Sequence, residues 1–178
     1  VKPDTLILRY SKRASKQVPV ILKTAINFAT GFDIKGNYIL DIDSVKIVGA
    51  STLIDQIKAV QTKELKFNNL NTNINTNINL EPIKGVEIFP KSINVKAAIK
   101  RFTEGTIEVP ITITNKPNNT IINYFPKTVN VSYYVDLDNY NSIKISDFVV
   151  ECDYGEIQDN QSYFIPKITK KPDFIKRI

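Results

Sequence analysis

The sequence predicts a mainly β protein, formed by two small tandem domains that each contain about one short helix. Two observations lead to this fold class. Branched aliphatic residues alternate with polar ones along much of the chain, which is typical of half-buried strands. A short strand-opening motif also recurs at a nearly constant spacing, which indicates an internal repeat. The 178 residues, 42% of them hydrophobic, suffice for one domain or two small ones.

Each domain is expected to begin two of its strands with the same short motif. The motif consists of a turn residue, any residue, Ser or Thr, a branched aliphatic residue, any residue and an aliphatic residue. It occurs at residues 3–8, 42–47, 90–95 and 126–131. Proline, the first residue of three copies, suits the start of a strand, because only one ladder donor is lost there.

The spacing of these copies predicts the domain boundaries. The first and third copies, like the second and fourth, are about 85 to 90 residues apart. The sequence Val-Pro-Val at residues 18–20 recurs in the same order as Val-Pro-Ile at residues 109–111. We therefore expect residues 1–14 to be the last strand of a preceding repeat and residues 15–100 to be one repeat. Residues 101–178 would be a second repeat that is divergent and incomplete at its C-terminus.

The asparagine-rich segment NNLNTNINTNINL, residues 68–80, is predicted to be an ordered strand. Its even-numbered positions carry Leu, Thr or Ile from Leu70 to Leu80, and its odd-numbered positions carry Asn from Asn69 to Asn79. Side chains alternate faces in a strand, so one face would be aliphatic or β-branched and the other would be entirely amide. Disorder is the alternative, because Asn-rich segments of low complexity often lack a fixed structure.

One helix is predicted in the first repeat, over residues 52–60, with Ser51 as its N-terminal cap. The apolar face of this helix would consist of Leu53, Ile57 and Val60. The second repeat has only a shortened counterpart, around residues 138–143. The remaining segments are predicted to be strands and turns, so each domain would pack about one short helix on a sheet.

The distribution of charge argues against binding of nucleic acid. The formal net charge is +6, but the basic excess lies in residues 1–16 and 163–178, and acidic residues slightly outnumber basic ones between them. A groove that follows a phosphate backbone would be basic in the body of the fold. Charged ends are more typical of solvated linkers or of segments near a surface.

No segment of this sequence is predicted to span a membrane, because no apolar run approaches a length of about 20 residues. The chain begins at Val1 and contains no Met. We therefore expect it to be an internal piece of a longer gene product. A signal or anchor would have been removed from such a piece, so its absence is no argument for a cytoplasmic location.

No residues are predicted to perform catalysis or to hold a cofactor or metal. Asp33, Asp41 and Asp43 offer carboxylates to a cation, but a solvated turn explains them better. Residues 136–141 match a calcium-binding loop only in part, because Tyr and Asn occupy its fifth and sixth positions. The single cysteine, Cys152, lies in an alternating segment that predicts a small buried thiol in a strand, and the chain has no His to activate it.

Five tyrosines of the second repeat are expected to pack against neighbours or to lie at strand edges. They are Tyr133, Tyr134, Tyr140, Tyr154 and Tyr163. Stacking on nucleobases is the alternative, but acidic residues lie between these tyrosines and no basic residues surround them.

The order of these motifs resembles that of a YbbR-like repeat. The matching features are Val18-Pro19-Val20, the glycine-ending strand of residues 43–49, the helix start of residues 50–57, and Val60-Gln61-Thr62. The resemblance covers residues 15–100 well. It covers residues 101–178 less well, because Tyr133 and Tyr134 stand where a glycine would fall and most of the helix is lost.

This resemblance implies a fold similar to a domain of the L25 family of ribosomal proteins, with mixed parallel and antiparallel strands. It also implies a bacterial protein outside the cytoplasm, periplasmic or at the cell surface, held by an N-terminal membrane anchor that this sequence does not include. The best-known members of the family regulate a membrane-bound diadenylate cyclase, the enzyme that makes cyclic di-AMP. The family has no catalytic residue to transfer to this chain.

We therefore expect a non-catalytic regulatory or scaffold module that contacts a membrane-associated protein, with the cyclase as the specific candidate. Its contact surfaces would be sheet edges and the basic segment of residues 1–16. The alternatives are an RNA-binding module of the L25 type and a structural surface or adhesion domain. A small enzyme is the least favoured alternative, because the sequence offers no constellation for acid–base or covalent chemistry.

Overall fold

The computed structural model describes residues 12–157 and 162–178, which belong to two compact units. One unit ends at Lys100 and the other begins at Arg101. Within the described residues there are ten strands, two α-helices of one turn each and two short 3₁₀ turns. The strands pair in both parallel and antiparallel fashion. The predicted fold class, mainly β with about one short helix in each domain, is therefore confirmed.

The first unit contains six complete strands and the first part of a seventh. Its elements are β1 (Arg13–Phe28), β2 (Phe32–Leu40), β3 (Ser44–Ala50), α1 (Ser51–Ile54), β4 (Val60–Leu70), β5 (Ile74–Asn79), β6 (Val86–Phe89) and β7 (Ser92–Thr114), which continues beyond this unit. Strands β4, β1, β3 and β6 form one sheet in that order, with β1 antiparallel to β3 and parallel to β4. The first part of β7 pairs with β2, and it also pairs with β5, to which it is antiparallel.

Both sheets of the first unit contribute to one core. In β3, the alternation of Ser44 to Ala50 buries Val45 and Ile47 and leaves Lys46 exposed. These side chains belong to the same buried cluster as Ile93 and Val95 of β7. The period of two in the sequence thus separates the face that packs in the core from the face that meets water.

The prediction of one strand over residues 68–80 is wrong at its centre, although the assignment of faces is confirmed on both sides. β4 ends at Leu70 and β5 begins at Ile74. Leu70, Ile74, Ile78 and Leu80 are buried, as the alternation predicts. The strand is interrupted because Asn69 has a φ of 56°, a left-handed conformation that asparagine tolerates better than most residues.

The prediction of a helix over residues 52–60 is also wrong, because α1 ends at Ile54. Ala50, and not Ser51, is the N-cap, and the N–H of Ser51 donates to the backbone carbonyl of Lys12 at 2.9 Å. The helix stops early because Val60 already belongs to the parallel ladder, where it pairs with Val20. None of the helices within the described residues is long and apolar enough to cross a membrane.

The second unit contains the rest of β7, three further strands, one α-helix and both 3₁₀ turns. These elements are β8 (Thr128–Asp136), α2 (Leu137–Tyr140), the 3₁₀ turn Ile145–Asp147, β9 (Val149–Asp153), the 3₁₀ turn Tyr154–Glu156 and β10 (Lys167–Lys170). β7 is antiparallel to β8 and parallel to β9, and β10 is antiparallel to β9. Its core contains Val109, Val131 and Val150, one from each of the three central strands, together with Phe148 and Ile175.

The two units share the same register in their three central strands. β1 of the first unit and the second part of β7 each have one antiparallel and one parallel neighbour. Equivalent residues are paired in the two units. The matching pairs are Val18–Val45 with Val109–Val129, and Val20–Val60 with Ile111–Val150. The predicted correspondence of Val18 with Val109 and of Val45 with Val129 is therefore found in the ladders.

The strand-opening motif begins a strand in each copy that the structure describes. The Ser or Thr of the motif is the first residue of β3, β7 and β8, namely Ser44, Ser92 and Thr128. The copy at residues 3–8 lies outside the described residues. The expected shortening of the second helix is wrong, because α1 and α2 have four residues each.

Candidate protein-interaction site

Two of the three aspartates considered as cation ligands, Asp33 and Asp41, bind backbone N–H groups. Asp41 Oδ1 accepts a hydrogen bond from the backbone N–H of Asn94 at 2.8 Å. Asp33 Oδ1 accepts one from the N–H of Ile34 at 2.7 Å. Across the described ranges, no three His, Cys, Asp or Glu side chains come together in a way that would hold a metal ion.

The partial calcium-loop motif of residues 136–141 forms a helix start. Asp136 is 1% exposed and immediately precedes α2, where its Oδ2 accepts a hydrogen bond from Asn139 Nδ2 at 2.8 Å. Tyr140 is the last residue of this helix. The carboxylate is therefore turned towards its own helix and does not join a ring of oxygen ligands.

The aromatic residues and the cysteine of the second unit mostly lie in packed positions. Tyr134 stacks on Phe102 with ring centroids 5.0 Å apart, and Tyr133 lies 5.9 Å from the ring of Phe148. Cys152 is a free, buried thiol in β9, as predicted. Burial raises the pKa of this thiol, so the reactive thiolate is disfavoured.

The first unit has a groove beside β6. Its cavity volume is about 590 Å³. β6 is the last strand of its sheet, so its second edge pairs with no other described strand. The lining combines apolar side chains with lysines and consists of Lys63, Asn79, Leu80, Pro82, Val86, Glu87, Ile88, Phe89 and Lys91.

The sequence around β6 explains how this groove forms. Gly85, which has a φ of +79°, turns the chain into the strand at a point where an added Cβ would lie 3.2 Å from Leu53. The alternation of β6 then directs Ile88 into the core, where it is 6% exposed. Phe89 follows on the other face and is 48% exposed. The strand therefore anchors itself with one side chain and presents a large apolar side chain to solvent.

The groove carries a positive charge. Glu87, its only acidic lining residue, forms an ion pair with Arg13, with Nη2 and Oε1 2.6 Å apart. Lys63 and Lys91 are exposed and have no ion-pair partner among the residues that the structure describes. An acidic segment of another molecule would therefore meet two uncompensated ammonium groups beside an apolar surface.

The sequence predicted sheet edges as contact surfaces but did not identify this groove. Phe89, an aromatic residue directly before a strand-opening motif, was the available signal. The basic segment of residues 1–16 was also expected to be a contact surface. Two of its cations are engaged within the unit, because Arg13 pairs with Glu87 and Lys16 Nζ donates to the carbonyl of Ile57 at 3.1 Å. Residues 1–11 lie outside the described part of the chain.

Comparison with known proteins identifies the first unit. A family model described as YbbR-like protein matches residues 18–97. No curated protein matches the chain. A similar solved structure is the solution structure of SuR18C from Streptococcus thermophilus, which has 23% sequence identity and a TM-score of 0.43 over 55% of this chain and 91% of that chain. Residues 18–97, and with them most of the first unit, thus form a domain of the YbbR-like family.

Proposed function

We propose that the chain is a non-catalytic regulatory or scaffold module that acts through contacts with other proteins. Its YbbR-like domain supports this proposal, because the motif positions of that family start strands, turn the chain and form a helix face. The observation that carries the proposal is the groove beside β6. There an unpaired strand edge, the exposed side chain of Phe89 and two lysines lie together.

The groove suits an extended segment of a partner protein. The backbone of such a segment would pair with the free edge of β6. In strand addition, these main-chain hydrogen bonds supply the affinity. The segment's apolar side chains would cover Phe89 and Pro82, which are exposed in the groove, and acidic side chains would approach Lys63 and Lys91. The charges would mainly accelerate association and select the partner, because ion pairs at exposed positions contribute little affinity.

The proposal extends to location and partner. We place the protein outside the cytoplasm, held at the membrane, with a membrane-associated protein as its partner. Diadenylate cyclase is the specific candidate, on the basis of the resemblance described above. A contact that binds one conformation of such an enzyme more tightly than the other shifts the equilibrium between the two conformations. A difference in binding free energy of about 1.4 kcal/mol changes their ratio tenfold.

Site-specific cross-linking in cells tests the groove as the contact site. A photoreactive amino acid replaces Phe89 in the groove or, as a control, Ile39 of β2, which is 65% exposed and does not line the groove. We expect the probe at position 89 to label one membrane protein and the probe at position 39 not to label it. The double variant Lys63→Glu, Lys91→Glu should suppress the labelling.

The charge reversal needs a matched control. Lys58 and Lys96 are also exposed and do not line the groove, so Lys58→Glu, Lys96→Glu changes the net charge equally at other positions. Equal labelling in both double variants would remove the groove from the proposal. Labelling of a membrane protein other than a cyclase would retain the contact function and exclude the cyclase.

A further inference from the structure

The groove beside β6 lies within one loop of the chain and is closed at both ends. One wall lies in residues 79–82, and the other wall is β6. At one end the N–H of Leu80 donates to the carbonyl of Lys91 at 2.9 Å, which joins the two walls. At the other end a turn joins them, because the N–H of Val86 donates to the carbonyl of Ile83 at 3.0 Å. The groove therefore has room along β6 for only about three residues of an extended chain, a length of about 10 Å.

Both lysines of the groove lie at the end that the Leu80–Lys91 hydrogen bond closes. Lys91 takes part in that bond with its own carbonyl. Lys63 is at the same end, because the antiparallel bridge between Thr62 and Leu80 places it opposite Asn79, the neighbour of Leu80. The positive charge is therefore concentrated where the groove stops.

The backbone groups of β3 alternate between its two neighbouring strands. The N–H of Ser51, directly after β3, donates to the carbonyl of Lys12 at 2.9 Å, on the side of β1. Since backbone groups change sides at every residue of an antiparallel strand, Val48 is directed to β6, where it pairs with Glu87. The next residue of β6, Ile88, is therefore directed away from β3 and towards the groove.

The free edge of β6 thus offers three backbone groups to an occupant. The N–H and C=O of Ile88 face the groove, and no backbone group of the described residues bonds to them. Val86 faces the same way and contributes its C=O, since its N–H is bonded within the turn. Pro90, the next residue in this row, has no N–H. Three successive residues of an extended chain would satisfy all three groups.

We propose that the groove binds the C-terminal residues of a partner protein, with the free carboxylate at Lys63 and Lys91. This inference rests on the proposed function, which assigns the groove to a segment of a partner, and it identifies that segment and its acid. The closed end leaves no path for a segment that continues along β6. A chain that ends there brings its terminal carboxylate to the two uncompensated ammonium groups. Because Lys91 follows the C-terminal end of β6, the bound segment runs parallel to β6.

The register also specifies the last side chain of the bound segment. In this parallel pairing, the N–H of the last residue donates to the C=O of Ile88, and the last residue lies opposite Phe89. Paired residues place their side chains on the same face of a sheet. The side chain of Phe89 is 48% exposed, so an apolar last residue would cover it and remove apolar surface from water.

Short peptides test this proposal with the complete 178-residue chain. The probes are acetyl-Gly-Thr-Val-Leu with a free C-terminal carboxylate and the same peptide as its C-terminal amide. We expect the acid to shift the NMR amide signal of Ile88. It should bind about tenfold more tightly than the amide, because two exposed ion pairs each contribute a few-fold. N-acetyl-leucine should bind more weakly than the acid peptide, because it has the carboxylate but is too short to pair with Val86.

Charge variants of the chain provide the matched control. In the double variant Lys63→Gln, Lys91→Gln, the acid and the amide should bind equally. The variant Lys58→Gln, Lys96→Gln removes the same charge at exposed positions outside the groove and should retain the tenfold preference. A spin label at the N-terminus of the peptide should broaden the amide signal of Gly85 more than that of Lys91, as the parallel direction requires.

Equal affinity of the acid and the amide for the unaltered chain would overturn the C-terminal assignment, and so would stronger broadening at Lys91 than at Gly85. Equal affinity of N-acetyl-leucine and the acid peptide would overturn it too, because a small carboxylate would then be the ligand. Each of these results leaves the groove as a contact site. Loss of cross-linking at position 89 in cells would instead remove the proposed function, so the two failures are distinguishable.

Discussion

At the scale of single residues, an exchange of small and large side chains explains why the second unit departs from the glycine pattern of the first. Ala14 lies opposite Gly49 in the first unit, and Gly105 lies opposite Tyr133 in the second. A Cβ at Gly105 would lie 2.5 Å from Cζ of Tyr133, so the ring rests directly on the glycine backbone. In the first unit the glycine is on β3, and in the second unit it is on β7, opposite Tyr133 of β8. The ring of Tyr133 fills the space above Gly105 that a side chain would otherwise occupy.

Gly105→Ala should therefore destabilise the second unit by about 2 kcal/mol, the usual cost of overpacking a core. In a Tyr133→Val background, the same change should cost less than about 0.5 kcal/mol, because the clashing ring is gone. Urea denaturation of the four proteins measures the coupling. Identical costs in the two backgrounds would show that the ring does not rest on this glycine.

The asparagines of the tract around β5 also have individual roles. Asn73 Oδ1 accepts a hydrogen bond from the N–H of Ile99 at 2.8 Å and so replaces a ladder acceptor where β5 begins. Asn77 Oδ1 accepts one from Asn94 Nδ2 at 2.9 Å. Asn75 is exposed and forms no such bond with any residue that the structure describes. The structure therefore requires asparagine at some positions of the polar face and tolerates other residues at others. The alternation of the sequence does not distinguish these positions.

Two adjacent substitutions in β5 separate its faces. Ile74→Asn should destabilise the first unit by about 3 kcal/mol, because it removes a side chain that is 4% exposed and buries an amide. Asn75→Thr should change stability by less than about 0.5 kcal/mol, as expected for an exposed position. Denaturant unfolding compares the two, and equal costs would contradict the position of β5 in the sheet.

At the scale of elements, the sequence predicted which faces are buried better than where elements end. Alternation assigned Leu70, Ile74 and Ile78 correctly because it is a local property of the strand. The end of α1 depends on the parallel ladder between Val60 and Val20, which are distant in sequence. A helical pattern over residues 52–60 cannot indicate that its last residue is already in a strand.

The helix itself supplies a test at this scale. Ile54 is 1% exposed, whereas Leu53 is only half-buried, although the predicted helix face contained Leu53 and not Ile54. Ile54→Ala should cost about 3 kcal/mol, and Leu53→Ala about 1 kcal/mol, because less buried volume is lost. Thermal or urea denaturation distinguishes them. A larger cost for Leu53→Ala would support the longer predicted helix.

The candidate sites show the same limit. Sheet edges were predicted as contact surfaces, but the sequence does not show which strands are edges. That β6 is an edge follows from the strand order β4-β1-β3-β6. This order is a product of pairing between residues far apart in the chain, which a local pattern does not contain.

At the scale of the whole molecule, the shared register of the two units explains both the repeat and the differences between its copies. The three central strands hold equivalent residues opposite each other in each unit. A difference between the units falls on the Gly49 and Gly105 pairs. The first unit presents a groove beside β6.

The cellular level of cyclic di-AMP tests the central claim, that the module acts by contact through the groove beside β6. Deletion of the gene should change this level if the partner is the cyclase. The variant Lys63→Glu, Lys91→Glu should reproduce the deletion at normal protein abundance, and Lys58→Glu, Lys96→Glu should behave as the unaltered protein. A nucleotide level that the deletion leaves unchanged would exclude the cyclase as the partner. If the deletion changes the level, equal levels in the two double variants would contradict contact through the groove.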